Sequence, residues 1–205
     1  MDAELSVPQE RLCLIEGHLA NEETIIWVRC HDRHLQHITV INNDGEKLFY
    51  VEGSAKGFNS SSFRRALKDA SGNSVFDLRR SQIDGWYVED PDKKRIAKLK
   101  HIKYFTRAHT AIDATLGDSE LTVQMRPRDH MATTTYLNAG GAVIAEILLH
   151  VNNTPRRFNG DRDLSVFRVR AAKGVDLSLV CFRRQLCVSK HLLIVSAAGR
   201  AHDAC

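Results

Sequence analysis

The sequence contains few of the residues that interrupt or cross-link a chain. Four prolines and twelve glycines in 205 residues argue against long linkers. The five cysteines show no Cys-x-x-Cys spacing, so the sequence predicts reduced thiols in a cytoplasmic protein. The first ten residues contain no basic region followed by an apolar run, so we expect no secretory signal. No apolar run reaches about 18 residues, so we expect no transmembrane helix.

Sequence signatures of catalysis are also missing. The chain contains no Gly-x-Ser-x-Gly, His-Glu-x-x-His, P-loop or Gly-x-Gly-x-x-Gly motif. We therefore expect no catalytic residues and no enzymatic activity. What remains is an ordinary globular composition, with 43% hydrophobic residues, 26% charged residues and a net charge of +4. This composition predicts a folded single domain.

Short β-branched and aromatic segments, separated by turn residues, predict a chain made almost entirely of strands. Three glycines, Gly45, Gly72 and Gly141, are each followed after two residues by a short apolar segment. Repeated hairpins of this kind are typical of a meandering barrel or a sandwich. The predicted strands are 24–28, 37–41, 48–51, 62–70, 75–78, 85–88, 95–104, 111–116, 121–125, 133–137, 144–147 and 164–169.

The C-terminal part of the chain departs from the strand pattern. Gly174 ends the last strand, and the apolar residues from Val175 to Phe182 predict a helix that starts near residue 175. Asp176 is well placed for the helix dipole. A helix that is apolar on all sides either spans a membrane or is buried, and this one is too short to span. We therefore expect it to lie in a core.

Four segments resemble the LURP-one-related family, whose relatives include the tubby C-terminal domain and the phospholipid scramblases. They are 45–53 (GEKLFYVEG), 69–80 (DASGNSVFDLRR), 142–147 (AVIAEI) and 167–179 (FRVRAAKGVDLSL). The resemblance spans roughly residues 24–180. It implies a mainly β fold, a closed antiparallel β-barrel of about twelve strands around a buried C-terminal helix, with no cofactor. The corresponding domain prediction is an N-terminal tail at 1–20, the barrel at 21–182 and an atypical C-terminal segment at 183–205.

The C-terminal segment departs from the family pattern. The family's terminal helix stays apolar for several turns, whereas here Phe182 is followed by Arg183 and Arg184. Burying two unpaired guanidinium groups is costly. Three interpretations stay open. The helix ends near Cys181, or it emerges so that the arginines reach solvent, or the last 24 residues reflect an altered reading frame or splice choice.

The strongest charge feature is a basic stripe at residues 93–107. It holds seven basic residues and no acid, so the net charge of +4 consists of +7 here and −3 elsewhere. Strand alternation predicts two opposite faces, with Lys94, Lys98 and Lys100 on one and Arg95, Ala97, Leu99 and His101 on the other. Such a stripe, beside Tyr104 and Phe105, suits an anionic membrane surface. The predicted anionic-lipid contacts are Lys94, Arg95, Lys98, Lys100 and Lys103.

The basic stripe is compatible with roles other than membrane binding. It is typical of a solvated strand face, or of an edge strand kept soluble by lysine. Nucleic-acid binding is the least expected of these roles. The tubby relatives bind phosphoinositides through basic barrel residues. The resemblance therefore implies lipid binding of that kind, while the choice of residues rests on the charge pattern.

Three groups of potential metal ligands lack the spacing of a metal site. His31, His34 and His37 fall on alternating faces of an extended chain instead of converging. The acidic turns at 89–92 and 159–163 do not match an EF-hand. We therefore expect no bound metal.

These features favour one function and leave two alternatives. The favoured function is a non-catalytic, monomeric domain in the cytoplasm that associates peripherally with anionic phospholipid membranes, or with a protein partner as an adaptor. The first alternative is lipid transport like that of the scramblases. The second is an enzyme or small-ligand binder whose site lies in the barrel lumen.

Overall fold

The strands account for most of the residues that can be described. A computed structural model of the chain describes residues 2–10, 12–32, 36–53, 64–81, 85–102, 111–117, 121–129, 133–152 and 165–180. Twelve strands coincide with the twelve predicted segments. They are β1 (Thr24–Cys30), β2 (His37–Asn42), β3 (Lys47–Gly53), β4 (Arg64–Asp69), β5 (Ser74–Ser81), β6 (Gly85–Glu89), β7 (Arg95–Ile102), β8 (Ala111–Leu116), β9 (Thr122–Pro127), β10 (Thr134–Ala139), β11 (Ala142–Asn152) and β12 (Ser165–Ala171).

The twelve strands close into one antiparallel barrel. Each strand pairs with its neighbours in chain order, and β1 completes the ring by pairing with β12. This closing ladder runs from Thr24 opposite Ala171 to Cys30 opposite Ser165. The mainly β fold, a closed antiparallel barrel of about twelve strands, is therefore confirmed.

Alternation along the strands builds the core of the barrel. In β1, Ile26, Val28 and Cys30 are buried, while the residues between them are more exposed. Side chains of a strand point alternately to its two faces, so the period of two separates an inner wall from an outer face. The largest of the fully buried side chains are Leu12, Ile26, Leu67, Phe76, Leu78, Ile112, Met125, Leu137, Ile144 and Leu179.

The β4–β5 turn shows how the glycine pattern specifies a hairpin. Gly72 has a φ of 93°, a left-handed conformation that side chains rarely adopt. The Asp69 carboxylate accepts a hydrogen bond from the backbone nitrogen of Asn73 at 2.8 Å. Hydrogen bonds from the Asn73 side chain and backbone lower the pKa of Asp69. Local polar contacts therefore help to fix this turn.

The chain after β12 closes one end of the barrel. Val175 and Asp176 form isolated bridges with Leu12 and Leu19, and the helix begins only at Leu177. The structure describes the first turn of this helix, and three of its four residues are buried. The segment 183–205, with its two arginines, lies outside the described residues. Among the residues that can be described, no helix has the length and hydrophobicity needed to cross a bilayer.

Residues 2–10 and 12–20, predicted to be a tail, pack against the same end; we call them the N-terminal strap. Leu12 is fully buried in the core. On the outer surface, Arg170 donates hydrogen bonds to the Ala3 carbonyl at 3.2 Å and to Glu146 at 3.3 Å. The strap therefore joins the inner core of the barrel to its outer face.

Candidate functional site

The basic stripe lies on the outer face of β7. Lys98 and Lys100 are exposed, whereas Ala97 and Leu99 are each 4% exposed and belong to the core. Because a strand rises about 3.4 Å per residue, the two lysines lie about 7 Å apart along the outer face. Strand alternation thus converts a basic segment into a row of cations on one surface.

Arg95 also lies on the outer face, so its predicted position beside Ala97 and Leu99 is wrong. The β6–β7 ladder shifts register here: Ala97 lies opposite Val88 and Arg95 lies opposite Glu89, so Ile96 is an extra residue between them. An extra residue of this kind is a β-bulge, and it reverses the alternation on one side of itself. Ile96 packs against the core, and Arg95 turns outward.

An aromatic ring accompanies the row of cations. The guanidinium carbon of Arg95 lies 4.4 Å from the ring centroid of Tyr87, which is within range of a cation–π interaction. Tyr87 lies directly opposite Lys98 in the β6–β7 ladder. A polarisable ring therefore sits between two of the predicted lipid contacts.

Lys94 extends the exposed row into the turn before β7. The Asp90 carboxylate accepts a hydrogen bond from the Lys94 backbone nitrogen at 2.9 Å, and the Asp90 carbonyl accepts one from Lys93 at 3.0 Å. The acidic turn at 89–92 therefore orders its own backbone. Lys103, the fifth predicted contact, lies outside the described residues.

Two carboxylates on the strands beside β7, Glu89 and Asp113, are each held by an arginine on the side away from the row. Glu89 on β6 lies 2.8 Å from Arg79 on β5. Asp113 on β8 lies opposite Lys100, and it is 2.6 Å from Arg126 on β9. Both carboxylates therefore form ion pairs with arginines outside the row.

Within the described part of the chain, this arrangement leaves the three lysines without counter-ions. Among the residues that can be described, Lys94, Lys98 and Lys100 form no ion pair. We define the cationic face as Lys94, Arg95, Lys98 and Lys100, with Tyr87 beside them. The sequence did not indicate the roles of Arg79, Arg126 and Tyr87, because these side chains join the face only through pairing between strands.

The histidine-rich segment is held together by hydrogen bonds. His31 Nε2 lies 2.8 Å from Thr39 Oγ1. The Asp32 carboxylate accepts hydrogen bonds from the backbone nitrogens of Gln36 at 3.2 Å and His37 at 2.7 Å. Across the described parts of the chain, no three histidines, cysteines or acids are placed to hold a metal ion. His34 and the acidic turn at 159–163 lie outside the described residues.

Comparison with known proteins places this barrel in a wider group. A family model described as LURP-one-related matches residues 24–182. A crystal structure of a protein from Arabidopsis thaliana has the same fold, with a TM-score of 0.53 and 18% sequence identity. The similarity covers 84% of this chain and 93% of the plant protein. No curated protein matches the chain.

Proposed function

The chain belongs to the LURP-one-related family, and from this premise we propose that it is a non-catalytic domain that binds anionic phospholipid membranes through the cationic face. The domain associates with the bilayer surface from one side and remains monomeric. In this function the barrel is a rigid support, and the outer residues of β7 and the preceding turn make the contacts.

The observation that carries this proposal is the absence of counter-ions for the lysine row among the described residues. An exposed Lys or Arg near an anionic bilayer contributes about 1 kcal/mol of attraction. The three lysines of the face then contribute about 3 kcal/mol, a factor of about 150 in the membrane partition coefficient. Had Glu89 and Asp113 paired with two of them instead, about two thirds of this attraction would be lost.

Closure of the barrel weakens one competing interpretation of the stripe. Lysines often protect an edge strand from pairing with other chains. β7 has no free edge, because it pairs with β6 on one side and β8 on the other. Edge protection therefore gives no reason for a concentration of lysine on this strand.

The test compares vesicle flotation of the wild-type chain with that of a double variant that combines Lys98→Gln and Lys100→Gln. Vesicles contain phosphatidylcholine alone, or with phosphatidylserine, or with a phosphoinositide. Loss of two cations is expected to lower binding to anionic vesicles about 30-fold, which corresponds to about 2 kcal/mol. Binding to pure phosphatidylcholine should be weak, and 1 M salt should abolish the difference because the Debye length falls to about 3 Å.

A matched control removes two exposed cations on the opposite side of the barrel. β1 lies six strands from β7 around the ring of twelve. The control variant combines Arg29→Gln on β1 with Lys173→Gln in the turn after β12. It lowers the net charge by two, as the Lys98→Gln and Lys100→Gln variant does. It is expected to retain most of the binding. Equal loss in the two variants, or no binding by the wild type, would contradict the proposal.

A further inference from the structure

A cavity lies between the N-terminal strap and the strand ends that the strap covers. Its volume is about 300 Å³, at the lower end of the range for small-molecule sites. Residues 6–10 and Leu12 of the strap line one side of it. The other side consists of residues at the β10–β11 turn and just before β9. The strap and the barrel therefore enclose this cavity together.

The deepest residues of the cavity are apolar. Leu12 is fully buried and Ala139 is 8% exposed, and both belong to the core. Leu121 packs against that core, and Ala142 lines the cavity at the start of β11. An apolar cavity of about 150 Å³ holds benzene, so this one has room for a hydrocarbon chain of about eight carbons.

The apolar lining continues to the surface at Val7. This side chain is 62% exposed, and no other large hydrophobic residue of the described chain is comparably exposed. A single exposed valine is ordinary by itself. Here it stands at the mouth of an apolar cavity, so a hydrocarbon chain that enters the cavity also covers the valine.

Glu10 gives the mouth of the cavity a negative charge. It is exposed, and it is the one charged residue among the described residues that line the cavity. Its carboxylate forms no ion pair and no hydrogen bond with any described residue. The carboxylate is therefore available to a cationic group, and it repels an anionic one.

Residues 7–10 span the cavity between two attached points of the strap. The Ser6 backbone nitrogen donates a hydrogen bond to the Val143 carbonyl at 2.8 Å, and the Asp176 backbone nitrogen donates one to the Leu12 carbonyl at 3.1 Å. Within the described chain, residues 7–10 form no backbone hydrogen bond. Segments with few such contacts open at low cost in free energy. The strap can therefore move here to admit a ligand while both of its attached points stay in place.

We propose that this cavity binds a small amphipathic cation, with its hydrocarbon part against Leu12, Leu121 and Ala142 and its ammonium group beside Glu10. Burial of the hydrocarbon supplies most of the affinity, because an ion pair with an exposed carboxylate contributes little. Glu10 supplies the preference for a cation over an anion. The site lies at the barrel end, and it is separate from the cationic face on the outside of β7.

The test is an NMR titration of the isotope-labelled full chain with octylammonium, octanol and octanoate. These probes share an eight-carbon chain and differ in charge. Octylammonium should cause saturable shifts at the amides of Gly140 and Ala142, which line the cavity. Octanoate should bind about fivefold more weakly, with octanol between the two. Nuclear Overhauser contacts between the octyl chain and the Ala142 methyl group should locate the probe in the wild type, without any substitution.

Three variants separate the contribution of the cavity from that of the charge. Ala142→Leu fills part of the cavity and should weaken octylammonium binding about tenfold or more. Glu10→Gln should weaken it about threefold and remove the preference over octanoate. Glu16→Gln is the matched control, because Glu16 is an exposed acid of the same strap that does not line the cavity. It should leave binding unchanged.

Three results would overturn the proposal. The first is an absence of saturable shifts, or of contacts to the Ala142 methyl group, when octylammonium is added to the wild type. The second is equal binding of octylammonium and octanoate. The third is an equal effect of Glu10→Gln and Glu16→Gln, which would indicate nonspecific attraction to an acidic surface.

Discussion

The carboxylate of Asp176 joins two segments that are far apart in sequence. Asp176 is fully buried. One carboxylate oxygen accepts hydrogen bonds from the backbone nitrogens of Leu14 at 2.8 Å and Ile15 at 3.1 Å. The other accepts one from Ser178 at 2.9 Å, in the manner of a helix N-cap. A single side chain therefore fixes both the strap and the start of the helix.

Replacing Asp176 with asparagine should have a measurable cost. Asparagine has one side-chain oxygen, so it can serve the strap or the helix cap but not both. The side-chain amide nitrogen of the asparagine, which is itself a donor, then faces a backbone N–H donor, and no hydrogen bond forms between them. A hydrogen bond to a charged group contributes about 1.5–3 kcal/mol. We therefore expect Asp176→Asn to lower the free energy of unfolding by about 2 kcal/mol, and Tm by about 4–8 °C in a chain of this size.

Asp129→Asn is the matched control, measured with Asp176→Asn by urea unfolding and hydrogen exchange. The Asp129 carboxylate also accepts hydrogen bonds from described residues, namely from the backbone nitrogens of Thr133 and Thr134 and from the Thr133 hydroxyl. These bonds lie within one turn and are half-buried, so the loss should be smaller. Asp176→Asn should also speed exchange at the amides of Leu14 and Ile15. Equal losses in the two variants, with unchanged exchange at the strap, would refute the reasoning.

Two further predictions concern the outer face and a turn. Arg126→Gln leaves the Asp113 charge uncompensated beside the cationic face, so vesicle binding should fall about fivefold. Adding Asp113→Asn should restore binding, and failure to do so in flotation would contradict the charge argument. Gly72→Ala forces a side chain into a left-handed conformation, so the free energy of unfolding should fall by about 1–2 kcal/mol. Ser71→Ala is the control, and both variants are measured by urea unfolding. Equal stability of the two variants would contradict the argument that the positive φ of residue 72 requires glycine.

The strands were predictable because their signals are local. Segments such as Ile25-Ile26-Trp27 on β1 favour strands through their β-branched and aromatic side chains. Glycines such as Gly45 and Gly72 mark turns that need a positive φ. Short connections between most consecutive strands also leave few topologies open, and the meander is the simplest of them. Closure into a barrel required the resemblance to the family, because no local pattern specifies pairing of β1 with β12.

Several details of the candidate site depend on contacts between distant residues. The bulge at Ile96 reverses the position of Arg95, and nothing in the alternation of the segment indicates it. The pairing of Glu89 with Arg79 depends on the β5–β6 ladder, which the sequence alone does not align. The strap was missed for a similar reason, since Leu12 is separated in sequence from Val175 and Asp176.

The order in which this barrel can assemble follows from its closing ladder. Thr24 pairs with Ala171, so one edge of β1 has no partner until almost the whole barrel has been synthesised. Asp176, which holds the strap, is made later still. Pairing between such distant residues predicts slow folding, because the entropy of closing a long loop is lost before the contacts form. The newly made chain therefore exposes an open sheet to chaperones and to neighbouring chains until its last strand is added.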